Sequence, residues 1–419
     1  MPKPTSAGSI TKVVIVTLDH HLAGAVSRIN ARLAKVGVKL ALHAASEWST
    51  RPETLQLCRE DIASAQVVIA NMLFMEEHVN AVLPALQAKR DSLDALAVFM
   101  SAGEAIRLTR MGRFDMGAKQ SGFMALLKKL KGSKSETASS GERQMAMLKR
   151  VPQILRFIPG PAQDVRAYFI SMQYWLAGSE ENVENLIRYL VARYVPGRNT
   201  LAHEPPRSYP ETGLYHPRGK SKVVEQVSAL PKSTGQAGTV GLLLMRSYVL
   251  SQDTGHYDGV IAALEAKGLT VLSAFATGLD ARPAIRKFFM KDGKAAVDAV
   301  LSLTGFSMVG GPAYNDATAA EDMLVELDVP YYAAQPVEFQ SIDAWEASER
   351  GLHPIEATMM VAVPEIDGAI SPMVFGGRQE GAGGERPMAV HKERAAALAS
   401  RVTEMVALRR TALKDRKVA

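Results

Sequence analysis

The chain has 419 residues, of which 47% are hydrophobic and 22% charged, and a formal net charge of +6. This is the make-up of an ordinary soluble globular protein with room for two or three domains, each with its own core. The single cysteine, Cys58, excludes an internal disulfide and any multi-cysteine zinc or iron–sulfur site, and no run of about 18 apolar residues offers a membrane span.

The first residues, MPKPTSAGSITK, are polar and lead straight into a strand, so no secretory signal is expected and a cytoplasmic location is. KVVIVTL (12–18) is a buried-strand run, and AGAVSRINARLAKVG (23–37) carries apolar residues at helical spacing. A strand at 38–44, a helix at 52–65, a strand at 66–73, a helix around 77–89 and a strand at 93–102 continue the alternation. That order predicts a doubly wound, mainly parallel sheet. Residues 132–146 are rich in Ser, Gly and charge and read as a mobile loop. Two long helical patterns follow, and the second opens on Ser179-x-x-Asn182, a capping start.

Between 197 and 238 the sequence is crowded with Pro, Gly and Tyr and loses its periodicity, which predicts an irregular linker or crossing segment. The expected organisation is an α/β domain with a helical extension over 1–196, this segment, and a second α/β domain over 239–419. In the second domain the strands are expected at 239–249, 269–276, 294–306 and 329–335, with helices between them and a long last helix at 391–410. Again the pattern is that of a doubly wound parallel sheet. Basic residues concentrate at 126–135 and 408–419 without interleaved aromatics, so they read as solvated segments and no nucleic-acid partner is expected.

Strand-end loops are where α/β folds bind ligands. LSLTGFSMVGGPAYND (301–316) places a glycine pair there, but it fits neither G-x-G-x-x-G nor a P-loop, and Pro312 stands where a helix would start. It reads as a glycine turn that projects Tyr314, Asn315 and Asp316 into a cleft, or as a plain turn in which Asn315 or Asp316 caps the next helix. In SQDTGHYDG (251–259), Asp253, His256 and Asp258 could handle protons or a metal; the alternative is a helix cap with His256 on the surface. Glu338 follows the strand at 329–335 and is expected at the same sheet edge. Asp19-His20-His21 in the first domain is a poor zinc site, because adjacent residues on a helix diverge by roughly 100° and the nine histidines include no i, i+4 pair. No metal site, nucleophilic dyad or cofactor motif is expected in the chain.

Several long phrases in order say more than any one site. They are VVIVTLDHHLAGA (13–25), the run 240–285 containing LLLMRSYVLSQDTGHYDGVIAALEAKGL, DAVLSLTGFSMVGGPAYND (298–316), and PVEFQSIDAWEASERGLHPIEATMMVAVPEIDGAISPMVFGGR (336–378). Together they resemble the magnesium chelatase and cobaltochelatase large-subunit family, with the amino-terminal stretch favouring the magnesium branch over the cobalt one. The resemblance implies the amino-terminal portion of a much longer porphyrin-binding subunit, cut off near its tail by truncation or splitting. It implies ATP-dependent insertion of Mg²⁺, as substrate, into protoporphyrin IX during (bacterio)chlorophyll synthesis, with ATP used by two separate motor subunits. A non-catalytic porphyrin-binding or regulatory fragment is the other reading. No catalytic residue carries over, since those of the family lie beyond this segment; Asp253, His256, Tyr314, Asn315, Asp316 and Glu338 stand as expected substrate-binding residues.

Overall fold

The structure, a computed structural model, describes residues 10–18, 22–49, 51–118, 150–233, 235–311, 314–380 and 386–416. Asp19, His20 and His21, the loop at 132–146 and the basic run at 126–135 lie outside these residues. The chain divides into two compact units, Met1–Ser208 and Tyr209–Ala419.

The first unit runs β1 (Thr11–Thr17), α1 (Ala23–Ala34), β2 (Val38–Ala44), α2 (Pro52–Ser64), β3 (Val67–Asn71), α3 (Glu76–Lys89), β4 (Ala95–Phe99), α4 (Gly103–Ile106), β5 (Arg110–Met111) and β6 (Phe114–Asp115). Helices α5 (Ala162–Ala177) and α6 (Glu180–Tyr194) follow later in the unit. The sheet order is β2-β1-β3-β4-β5-β6, parallel through β4 and antiparallel beyond. Both faces are covered, and the strands show it residue by residue. Val13 and Ile15 of β1 pack into the core under α1, α5 and α6, whereas Val14 and Val16 pack under α2 and α3. This alternation is the two-residue repeat of a strand, and near-continuous apolar runs are its mark when both faces are buried. Ser179 caps α6 by accepting from the Asn182 amide at 3.2 Å, which satisfies one of the helix's otherwise free N–H groups.

In the second unit come β7 (Thr212–Tyr215), β8 (Val223–Val224), β9 (Gly238–Met245), α7 (Arg246–Ser251), α8 (Gly255–Ala266), β10 (Leu269–Ala276), α9 (Arg282–Phe288), β11 (Met290–Lys291), β12 (Lys294–Ala295) and β13 (Ala299–Ser302). There follow β14 (Gly310–Gly311), β15 (Tyr314–Asn315), α10 (Ala317–Leu327), β16 (Tyr331–Ser341), α11 (Ile342–Glu346), α12 (Pro354–Glu356), a π-helical turn (Ala357–Ala362), α13 (Val363–Ile366), β17 (Ile370–Arg378), β18 (Met388–Val390) and α14 (Lys392–Arg410). The eight-stranded sheet has the order β18-β17-β16-β13-β9-β10-β7-β8. Its five central strands are parallel and the outer ones antiparallel. Helices α8 and α14 cover one face and α9 and α10 the other.

Three expectations need correction. The strand expected over 239–249 ends at Met245, and Arg246–Ser251 turns into helix α7. The Pro- and Gly-rich segment 197–238 is not wholly irregular: Thr212–Tyr215 adds to the sheet, antiparallel to β10, because Leu214 and Tyr215 are apolar enough to be buried there. The strand expected over 294–306 is only Ala299–Ser302, since residues 290–295 turn back as the small β11–β12 hairpin.

Candidate functional site

The parallel strands of the second unit end together, and three strand ends build one polar cluster. Helix α7, just past β9, supplies Tyr248; Glu338 comes from β16 and Arg378 is the last residue of β17. Arg378 is 1% exposed. Its Nη1 donates to Asp253 Oδ2 at 3.0 Å and to the Arg386 carbonyl at 3.1 Å, and its Nη2 donates to the Tyr248 hydroxyl at 3.0 Å. That hydroxyl in turn donates to Glu338, 2.6 Å from each carboxylate oxygen. Arg378 and Glu338 lie 3.7 Å apart. Asp253 Oδ1 also accepts from the Met388 amide at 2.9 Å. A buried guanidinium between two carboxylates avoids the cost of isolated charge only because these bonds are made.

His256 sits on the first turn of α8 against this cluster. The alternative that put it on the surface does not hold: the residue is fully buried, and among the described residues neither ring nitrogen has a hydrogen-bond partner. Its ring lies 3.7 Å from that of Tyr257 and 5.1 Å from that of Tyr248, centroid to centroid. Burial, with Arg378 adding to it, holds the imidazole well below its ordinary pKa, so it is neutral at physiological pH. Asp258 is not part of the group. It accepts from Tyr215 at 2.6 Å and from Thr254 at 3.2 Å. Thr254 occupies the helix N-cap position without a side-chain capping bond.

Asp253, His256 and Glu338 are therefore brought together. Tyr314 and Asn315 form β15, paired antiparallel with the glycines of β14. The glycine pair thus makes a hairpin, not a phosphate cradle. Asn315 is exposed. Asp316 caps α10 by accepting from the Ala319 amide at 3.0 Å, so the capping alternative holds for its carboxylate. Gly305, at φ +70°, lets the loop after β13 lie against Pro336, where an added Cβ would come within 3.3 Å.

Glu338 is not on a free loop, as expected, but within the span of β16. Val337 pairs with Gly377 and Ser341 with Arg378, leaving residues 338–340 as a bulge outside the ladder. Where the strand order reverses, between β9 and β13, a crevice of about 20 Å³ is lined by Met245, Ala276, Ser302, Thr304, Ser307 and Met308. That is room for about one water molecule. Among the described residues, no group of three or more His, Cys, Asp or Glu side chains is disposed to hold a metal ion, and no helix is long and apolar enough to cross a membrane.

Sequence reasoning missed Tyr248, Arg378 and Glu356. The signal for Arg378 was present as a single charge closing the apolar run MVFGGR; Tyr248 reads as one more apolar residue of the strand expected over 239–249.

Fold and cluster define a two-unit α/β protein with a charged, hydrogen-bonded centre at the carboxyl edge of its second sheet. Residues 172–419 match the family model described as CobN/Magnesium Chelatase, and residues 12–169 match one described as a domain of unknown function (DUF3479). The chain belongs to the CobN/magnesium chelatase family. It is 48% identical to the H-type magnesium-chelatase subunit of Cereibacter sphaeroides, over 97% of this chain and 36% of that protein. With the H-type subunit of Rhodobacter capsulatus it shares 47% identity over 100% of this chain and 36% of that protein. The chloroplastic magnesium-chelatase subunit ChlH of rice is 35% identical over 88% of this chain and 27% of its own length. The chain thus spans about a third of the length of these relatives. The solved catalytic subunit of cobaltochelatase from Mycobacterium tuberculosis shares the fold, with a TM-score of 0.52 and 18% identity over 97% of this chain and 28% of that one.

Proposed function

We propose that this chain forms the amino-terminal portion of the porphyrin-binding subunit of a magnesium chelatase, acting in the cytoplasm. In the whole enzyme, Mg²⁺ is the substrate inserted into protoporphyrin IX for (bacterio)chlorophyll synthesis, and two partner subunits use the ATP. The observation that carries this reading is the 48% identity to an H-type magnesium-chelatase subunit across 97% of the chain. The absence of a P-loop from the sequence accords with ATP chemistry residing in partners.

Insertion demands that a rigid macrocycle lose two pyrrole protons while a tightly hydrated Mg²⁺ sheds water. Of the three clustered residues first expected to bind substrate, Glu338 keeps the most access, its side chain 14% exposed against 5% for Asp253. In this proposal Glu338 faces the ring, and Asp253, Arg378 and Tyr248 fix it from behind. His256 supplies a neutral, apolar-sided wall. Asp316, whose carboxylate is engaged at the head of α10, serves stability.

Absorbance titration of the full chain with protoporphyrin IX tests the binding role; saturable micromolar binding is expected, and none at all would overturn it. With the ATPase subunits, Mg²⁺ and ATP, the chain alone should not insert metal, because it lacks most of the relatives' length. Measurable insertion would contradict that assignment.

A further inference from the structure

We propose that Phe339 and His353 form a ledge for one face of a flat, conjugated tetrapyrrole, and that buried Glu356 is the positioning residue that sets it. The ligand class rests on the porphyrin-binding reading above; the ledge itself rests on the geometry of the β16 bulge.

Residues 338–340 leave the β16–β17 ladder, so their N–H groups need other acceptors. Glu356 provides them for Glu338 and Phe339. Its Oε1 accepts from the amides of Glu338 at 2.7 Å and Phe339 at 3.0 Å. Its Oε2 accepts from the His353 amide at 3.2 Å and the Gln340 side chain at 3.3 Å. Glu356 is 0% exposed. A carboxylate in such a place is tolerable only when its lone pairs are filled, and four donors fill them. Every one of those donors belongs to the bulge or to His353, so the buried charge is committed to fixing this one piece of surface.

What it fixes is a pair of near-parallel rings, one of them exposed. The rings of Phe339 and His353 stack at 22° with centroids 6.0 Å apart. His353 is exposed and Phe339 half-buried. The π-helical turn Ala357–Ala362 starts at the next residue after Glu356, an irregularity common beside functional sites. Two near-parallel rings present a π surface whose favoured partner is another planar ring. Glu338, the neighbour in the bulge, sets the ledge beside the polar cluster.

The test is titration of the full chain with deuteroporphyrin IX, read by the Soret band, for wild type, Phe339→Leu, His353→Ala, Glu356→Gln and Phe339→Tyr. Phe339→Leu and His353→Ala should each raise Kd about three- to tenfold, the worth of an aromatic contact, with unchanged melting temperature. Phe339→Tyr should retain wild-type affinity. Glu356→Gln should raise Kd and return the Soret maximum of the saturated complex towards that of free porphyrin, a shift that simple loss of stability would not produce. Wild-type affinity in both Phe339→Leu and His353→Ala would overturn the ledge while leaving porphyrin binding intact. No saturable binding by wild type would instead remove the reading on which the ledge rests. Should Phe339→Leu misfold, His353→Ala, at an exposed position, decides the matter alone.

Discussion

The two units share a strand order, β2-β1-β3-β4 in the first and β10-β9-β13-β16 in the second, yet they finish their carboxyl edges differently. In the first, Thr17 ends β1 and Asn71 ends β3, side by side because Val16 pairs with Ala70. Both are fully buried, and among the described residues the Thr17 hydroxyl and both polar atoms of the Asn71 amide have no hydrogen-bond partner. In the second, the same edge gathers Asp253, Arg378, Tyr248 and Glu338 into one bonded group. Topology brings polar groups to this edge in both units. Among the described residues, the second binds them to one another where Thr17 and Asn71 are left unbonded, and that pre-organisation separates a candidate site from a polar strand end.

The largest effect should come from breaking that group. Arg378→Met leaves Asp253 buried without its cation and is expected to cost about 3–5 kcal/mol in urea melts. Adding Asp253→Leu should recover much of it, since the penalty lies in the stranded charge. If the single change is mild, the second edge is no more tightly built than the first.

Acidification should sharpen the comparison next. His256 titrates well below its ordinary value of 6.5 in the folded state. The unfolded chain therefore binds more protons below that pH. Its contribution is fully present above pH 6.5 and is lost as pH falls towards the folded pKa, at up to about 1.4 kcal/mol per pH unit. His43 of the first unit is also lowered by burial, but Asp61, 2.8 Å away, opposes the shift. The second unit should thus be the more acid-sensitive, and His256→Phe should flatten its pH profile between 6.5 and 5. An unchanged slope would show that other groups dominate.

Smaller effects bear on the strand ends themselves. Asp316→Ala should cost about 1 kcal/mol as a lost helix cap and leave porphyrin affinity alone; weakened binding at full stability would return Asp316 to the site. Asn71→Leu, of similar shape and without orphaned polar atoms, should be neutral or raise stability by up to about 1 kcal/mol. A clear loss would mean that the first edge also has a partner to hold.

Much of this architecture was readable in the sequence, because near-continuous apolar runs such as Val13–Val16 signal strands buried on both faces. The short strand Thr212–Tyr215, between β10 and the edge strand β8, was hidden, since only four residues pair with β10 and Pro, Gly and turn residues surround them. At the site, strand ends were legible from topology, which is why Asp253 and Glu338 could be expected on one edge. Burial was not. His256 looked like a surface residue because nothing local reveals that Tyr248, Tyr257 and Phe375 close around it. Glu356 was invisible for a related reason: its partners at 338–340 are set by a bulge, and a bulge has no reliable sequence mark when no glycine makes it.

Helix α14 has one further consequence, for the order in which the second unit can be made. Leu398, Val402 and Val406 belong to the same core as Val240 and Leu242 of β9, and Val406 packs where β9 begins, so close that a Cβ on Gly238 would lie 2.5 Å from it. The first parallel strand and the last helix, at opposite ends of this unit's sequence, close one face together. On a ribosome, that face has only α8 over it until α14 has emerged, and part of the apolar surface of β9, β13 and β16 waits uncovered meanwhile. Such distant pairing makes folding slow and leaves the nascent unit a natural client for chaperones.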